Sequence, residues 1–468
     1  MERKTFKKIF ILLSLWIFFP VVSVAAFISY AITWIFYILY AQTDAPADQP
    51  LVPLSPWRVF KVSFYLLNYL YENLTGPFIP SIVQYCWHKL SSNRKRTSVR
   101  KNLRYGLRPR NRLDVYLPDH VSTTVIKNSK RFTEGILHPN STNLPSPNAH
   151  QSESPVIILI CTSWNSGNKS TCMPVAHNLQ SQGYVVVVPN ITLYPQGKIA
   201  EMVFDVQQVI HWTHSHIRQF RGDPSQIYLM GHSAGAFLAA LTVIHDACAT
   251  LGVMPLNNTH VNIPVWDNVS RRTPLPRVQG LILFSGTYDV TYYYAYLHHK
   301  GLEQVHAVPR VMGNTPETFL QCSPTFLLNH ALNRVKDKDR LKMTLPRKIL
   351  LIHGAKQDSF NPPTSTRNFY DLLVAAGIPS VQLKIYENQN HISPRIDLIV
   401  PTKRLCVLLL EDIKECCLGH AGIVMMGGKL REKKEESDHE EFMMDEEDEG
   451  RVTVHNGGDI PHPVLVTA

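Results

Sequence analysis

No two of the eight cysteines, at positions 86, 161, 172, 248, 322, 406, 416 and 417, stand at the short spacing of a metal site. The reading is therefore of no metal and no cofactor. Disulfides among them require that the domain face an oxidising lumen; buried, inert thiols are the alternative, and Cys416-Cys417 is a candidate for acylation. No recognition motif accompanies the net charge of +10, which argues against a nucleic-acid partner. Charge is absent altogether between Ile9 and Gln42. That run exceeds the apolar region of a secretory signal. At about 1.5 Å per residue, its roughly 33 residues reach about 50 Å, beyond a bilayer core of about 30 Å.

A retained membrane anchor is thus expected over 1–45, as one tilted helix or as a hairpin bent near Pro20 and Ser23. An interfacial aromatic and basic linker follows over 46–104. Its segments Val59–Tyr71 and Pro77–Leu90 read as interfacial pieces or as amphipathic core helices. The positive charge is local: Lys89, Arg94, Lys95, Arg96, Arg100, Lys101, Arg104, Arg108, Arg110 and Arg112 lie just beyond these apolar segments. Contact with anionic head groups fits that placement. If this cluster and the N-terminal Arg3, Lys4, Lys7 and Lys8 share the cytoplasmic side, the number of crossings is even. Six N-x-S/T sequons, at Asn73, Asn140, Asn168, Asn190, Asn257 and Asn268, point the other way, so sidedness is left open.

What the chain does contain is a strand, a turn and a helix in unbroken succession: Gln226-Ile-Tyr-Leu-Met230, Gly231-His232-Ser233-Ala234-Gly235 and Ala236-Phe-Leu-Ala-Ala-Leu241. That is the setting of a nucleophile elbow. The two glycines permit a tight turn that lifts the Ser233 hydroxyl clear of the sheet. Ala234 places its N–H at the helix start, where an oxyanion would develop.

A serine needs a base, and the base needs an orienting acid. The strand Lys348–Ile352 runs into a loop containing Asp358, the candidate acid. After a helix pattern with Phe369, Leu372, Leu373 and Ala376 comes the strand Val381–Tyr386, followed by His391, the candidate general base. His232 and His353 are expected to be surface or structural. Strands and helices alternate from about Leu113 to Leu418, with central strands at Val156–Ile160, Tyr184–Val188, Gln226–Met230, Leu281–Phe284 and Lys348–Ile352. This predicts an α/β fold with a mainly parallel sheet covered on both faces. The catalytic domain spans 105–420, with insertions at 119–154 and 250–277. The acidic tail, 421–468, is expected to be disordered and is a candidate site for a protein partner.

Several stretches together resemble the isoprenylcysteine methylesterases, a family of α/β-hydrolases: Tyr105–Pro118, Leu193–Met202 with Asp205-Val206, Gly222–Gly235, Ser285–Asp289, His298–Leu302 and Ser323-Pro324. The likeness covers about Tyr105 to Val400. It implies an α/β-hydrolase fold and a membrane-bound serine esterase acting on a prenylated ester, the methyl ester of a prenylcysteine. It places the nucleophile on Ser233, the acid on Asp358 and the base on His391. Endoplasmic reticulum or Golgi membranes are the expected location. Two departures stand out. Where the family carries a Gly-Gly-Ala-Trp type turn, this chain reads Cys161-Thr162-Ser163-Trp164, so the oxyanion contact falls to Thr162 or Ser163 opposite Ala234. One extra residue also separates His353-Gly354 from Asp358, which remains preferred over Glu387 and Asp289. Fold and triad do not separate substrates. An esterase, lipase or deacetylase for another lipid or sterol ester stays open, as does a catalytically weak binding or scaffold protein. Tyr288, Tyr292, Tyr293, Tyr294 and Tyr296 read equally as an apolar pocket lining and as core packing.

Overall fold

A computed structural model describes residues 18–32, 34–35, 64, 98–118, 153–255, 273–300, 302–303, 306–354, 361–387, 389–401, 403–418 and the backbone of 452–456. The chain divides into two units, Met1–Gly76 with Tyr292–Arg310, and Pro77–Thr291 with Val311–Ala468.

The second unit is built on one nine-stranded sheet. Its strands are β1 (Val99–Arg104), β2 (Arg112–Tyr116), β3 (Ser154–Ile160), β4 (Val185–Pro189), β5 (Gly222–His232), β6 (Gly280–Phe284), β7 (Lys348–Gly354), β8 (Ser380–Tyr386) and β9 (Val452–Asn456). They lie in the order β1-β2-β4-β3-β5-β6-β7-β8-β9. Every pairing from β4 to β8 is parallel, and only β1, β2 and β9 run antiparallel to their neighbours. This is the mainly parallel α/β sheet that the alternating pattern predicts, and it fits the α/β-hydrolase fold that the resemblance implies.

The central strands lack alternation because both faces are covered. Val185 to Val188 of β4 are fully buried, as are Ile157 and Ile158 of β3 and Leu350 to Ile352 of β7. The elbow helix, Ala234–Thr250, is apolar nearly all round and correspondingly buried from Ala234 through His245. A helix without a polar face belongs inside a core. At the far side a helix over 404–418 docks on β8, where Lys384 pairs with Asp412 and the Tyr386 hydroxyl donates to Asp412 at 2.7 Å.

The tail departs from expectation at one place. Val452–Asn456 forms a strand antiparallel to Gln382–Tyr386. Its Val-Thr-Val stretch is rich in β-branched residues, which favour extended backbone and suit an open sheet edge. The rest of the tail, most of both insertions and most of the 46–104 linker lie outside the described residues.

In the first unit, a helical stretch over 18–32 carries Phe18, Phe19, Val21, Val22, Phe27 and Ile28, all exposed. Among the described residues no helix is long and apolar enough to cross a membrane. The remainder of the proposed anchor lies outside them. In the Tyr292–Arg310 stretch, the ring of Tyr293 meets His306 edge-on and the Lys300 ammonium sits over Tyr296.

Candidate active site

The site forms at the carboxyl ends of the parallel strands. β5 ends at His232, the elbow helix begins at Ala234, and Ser233 between them has φ 54° and ψ −116°. That conformation is costly for a residue with a side chain, and it is held in place by neighbours. The Ser233 N–H donates to the Phe284 carbonyl at 2.8 Å, and the Ser233 carbonyl accepts from Phe237 at 3.0 Å. The two flanking glycines are required by contact. A β-carbon on Gly231 would lie 2.4 Å from the Gly235 carbonyl carbon, and one on Gly235 would lie 2.3 Å from the Ile160 carbonyl oxygen. The G-x-S-x-G spacing thus lets the turn close on itself and on the end of β3.

His391 Nε2 lies 3.0 Å from Ser233 Oγ, across 158 residues of sequence. The loop that carries the histidine is set by Asn390, whose side-chain oxygen accepts from the Ile392 and Ser393 N–H groups and from the Ser393 hydroxyl. Gly354, at the end of β7, allows the Gln389-Asn390 backbone to close in. A β-carbon there would stand 2.4 Å from the Asn390 carbonyl oxygen.

His232, expected to be surface or structural, takes the specific structural role of tethering the loop of the base. Its Nε2 donates to the His391 carbonyl at 2.7 Å, and the two rings lie 4.9 Å apart. The signal was its position next to the nucleophile, which places it at the site wherever the base loop arrives. His353, by contrast, is fully buried between the Thr366 hydroxyl at 2.9 Å and the Asn361 carbonyl at 3.0 Å, a structural histidine as expected. Asp358 lies outside the described residues, between Gly354 and Asn361.

The loop after β3 carries the oxyanion candidates. Thr162 Oγ1 donates to the Ser163 carbonyl at 2.7 Å. The Ser163 N–H is donated to the Ser166 carbonyl at 2.8 Å, so it is already committed within the loop. The candidate donors narrow to the N–H groups of Thr162 and Ala234. The loop is fastened at Trp164, Gly167 and Lys169. Trp164 is buried, meets Phe237 of the elbow helix edge-on at 5.3 Å, and accepts from the Tyr194 N–H at 3.0 Å. Gly167, at φ 125°, lies against the Thr162 backbone, where a β-carbon would approach Thr162 Cα to 3.0 Å. Lys169 is buried in an ion pair with Asp114 of β2.

Cys161 and Cys172 close this loop as a disulfide, with Cα atoms 6.1 Å apart. The other described cysteines, 248, 322, 406, 416 and 417, are buried thiols. Burial pushes Cys248 and Cys416 up to about 12 and raises Cys417 well above the usual thiol range. Cys416 and Cys417 are buried, the placement expected of inert thiols. Cys86 lies outside the described residues.

Several polar residues near the site are structural. Arg108 pairs with Asp205 at 2.6 Å, and Arg110 donates to the carbonyls of Ile191 and Gly167. These two arginines are thus tied to the domain through their side chains. Of the sequons near the site, Asn168 is exposed, while the half-buried Asn190 accepts from the Lys169 N–H through its side chain at 2.7 Å. Tyr288 is fully buried and stacked on Phe369 at 4.3 Å, so it belongs to the core.

The family model BD-FAE matches residues 143–334. A probable isoprenylcysteine alpha-carbonyl methylesterase of Arabidopsis thaliana is 26% identical over 349 residues, covering 72% of this chain and 69% of that one. The isoprenylcysteine alpha-carbonyl methylesterase of the same plant is 27% identical over 296 residues, covering 63% of this chain and 56% of its own length. The chain thus spans a little over half of that second relative and about two thirds of the first. A probable carboxylic ester hydrolase, LipM of Mycobacterium tuberculosis, is 24% identical over 216 residues, covering 45% of this chain and 42% of that one. The chain is accordingly an α/β-hydrolase of the carboxylic ester hydrolase class, and within that class it resembles the isoprenylcysteine alpha-carbonyl methylesterases.

Proposed function

We propose that the chain is a membrane-bound serine hydrolase that removes the methyl ester from a prenylated cysteine. The observation that carries the reading is the 3.0 Å approach of His391 Nε2 to Ser233 Oγ on a positive-φ elbow. That is hydrogen-bond reach for a general base and its nucleophile. In the proposed cycle His391 takes the Ser233 proton as Oγ attacks the ester carbonyl carbon. Asp358 orients the imidazole, and the N–H groups of Ala234 and Thr162 hold the oxyanion. Collapse of the tetrahedral adduct expels methoxide, which leaves as methanol with the proton from His391. A water molecule, deprotonated by His391, then frees the prenylcysteine carboxylate and restores Ser233.

The substrate assignment rests on the plant relatives, whose names give an isoprenylcysteine ester. The membrane assignment is supported by the exposed Phe18, Phe19, Val21, Val22 and Phe27, an apolar concentration that a lipid phase would cover.

Labelling with a fluorophosphonate probe tests the reading directly. The wild-type protein should be labelled and Ser233→Ala should not; no Ser233-dependent adduct in folded protein would sink it. Turnover of a prenylcysteine methyl ester should exceed that of short acyl esters and of sterol acetates. Preference for either of the latter would overturn the substrate while keeping the chemistry.

A further inference from the structure

The Cys161–Cys172 disulfide occupies an unusual place. Cys161 directly follows β3, and Cys172 directly precedes the helix Met173–Ser181, so the bond closes the loop that bears the oxyanion candidates. Both half-cystines are buried, whereas Thr162 is half-buried and Ser163 exposed between them. The N–H of Thr162 belongs to the peptide unit joining it to Cys161, so whatever fixes Cys161 also fixes one side of that peptide plane. Trp164 and Lys169 are fastened further along the loop, and Gly167 packs back against the Thr162 backbone from the other side. The far end of the bond also touches the loop of the base. Arg395, four residues past His391, reaches Cys172 Sγ at 3.7 Å, and Asn178 of the same helix donates to the Leu398 carbonyl at 2.5 Å.

We propose that the disulfide is a positioning element for the oxyanion contact. It holds the Cys161–Thr162 peptide in register with Ser233, in a loop whose own side chains would otherwise steer it. Hydrolysis is therefore tied to an oxidising compartment, which places the catalytic domain on the luminal or extracellular face of its membrane. Reduction takes two electrons and two protons. A dithiol such as dithiothreitol cleaves the sulfur–sulfur bond, leaves thiols on Cys161 and Cys172, and itself becomes a cyclic disulfide.

The inference rests on the hydrolase reading, and its test keeps the two apart. Full-length protein is alkylated without reductant, and the state of the two cysteines is read by peptide mass. Its kcat and KM are then compared as isolated, after dithiothreitol under native conditions, and after reoxidation with oxidised glutathione, with Ser233→Ala as the baseline. Circular dichroism and a thermal melt accompany each state. We expect an oxidised pair in active protein. Reduction should lower kcat about 100-fold, the scale of one lost oxyanion donor, with KM little changed, the fold intact and activity restored on reoxidation. The Cys161→Ser/Cys172→Ser double variant should match the reduced state and ignore both reagents. Alkylated thiols in fully active protein would overturn the inference, as would an unchanged kcat after complete reduction. Loss of the fold on reduction would also overturn it, because the bond would then be a global staple. Absence of Ser233-dependent turnover in the oxidised protein would overturn the hydrolase reading instead.

Discussion

His232 donates a hydrogen bond from Nε2 to the carbonyl oxygen of His391 at 2.7 Å, so the residue before the candidate nucleophile holds the backbone of the candidate base. The Ser233–His391 distance then depends on two tethers, one through each of two adjacent elbow residues. Removing His232 frees the base loop without touching the reacting atoms. His232→Ala should lower kcat about 3- to 10-fold, the worth of one net hydrogen bond, with KM nearly constant. His232→Gln, which can still donate, should recover part of the loss. Equal kcat in wild type and alanine variant would show that Asn390 alone sets the loop.

The elbow glycines leave no room for substitution. A β-carbon on Gly235 would meet the Ile160 carbonyl oxygen at 2.3 Å, and backbone is not free to retreat there. Gly235→Ala should cost about 1–3 kcal/mol or more by overpacking. Denaturant titration of the purified variant measures the loss.

Lys169 and Asp114 form a buried pair, and the Asp114 carboxylate also accepts from the Asn102 N–H at 2.7 Å. Lys169→Met leaves that carboxylate buried without its cation. The expected loss is about 3–5 kcal/mol of unfolding free energy. Replacing both residues, as Lys169→Met with Asp114→Leu, should restore much of it. A double-mutant cycle on melting curves shows whether the restoration occurs.

Asp246, on the elbow helix, accepts from the Leu275 N–H, and burial pushes its carboxyl up to about 6. The folded state therefore holds this proton more tightly than the unfolded chain. Its contribution to stability is fully present below about pH 4 and is lost as pH rises toward about 6. Asp246→Asn keeps the acceptor and removes the charge. Its melting temperature should match wild type near pH 4 and exceed it at pH 7. A constant difference across that range would show that the carboxyl is not buried in solution.

Much of the fold is legible in the chain because its signals are local. The unbroken apolar runs Val185–Val188 and Leu350–Ile352 announce strands buried on both faces. The elbow is contiguous, so strand, turn and helix identify one another. Ser233 and His391 follow from their order along these elements. Other features arise only when distant segments meet. Cys161 and Cys172 are two of eight cysteines, and nothing in their spacing marks them as the oxidised pair. Ser163 reads as a free donor until the loop folds back and its N–H finds Ser166. His232 gains its role only because the loop after β8 arrives above it. Arg108 and Arg110 look like part of a basic surface in one dimension, yet Asp205 and the Gly167 carbonyl claim them in three.

The short strand β9 has a consequence for how the molecule keeps to itself. Along Gln382–Tyr386 it occupies the outer row of backbone donors and acceptors on β8. A chain ending at residue 418 would leave that row open in the lateral direction. An uncovered edge of parallel sheet is a template for a strand from a second molecule. Residues 452–456 thus cover that edge, and their removal should be felt first as aggregation, before any change in chemistry.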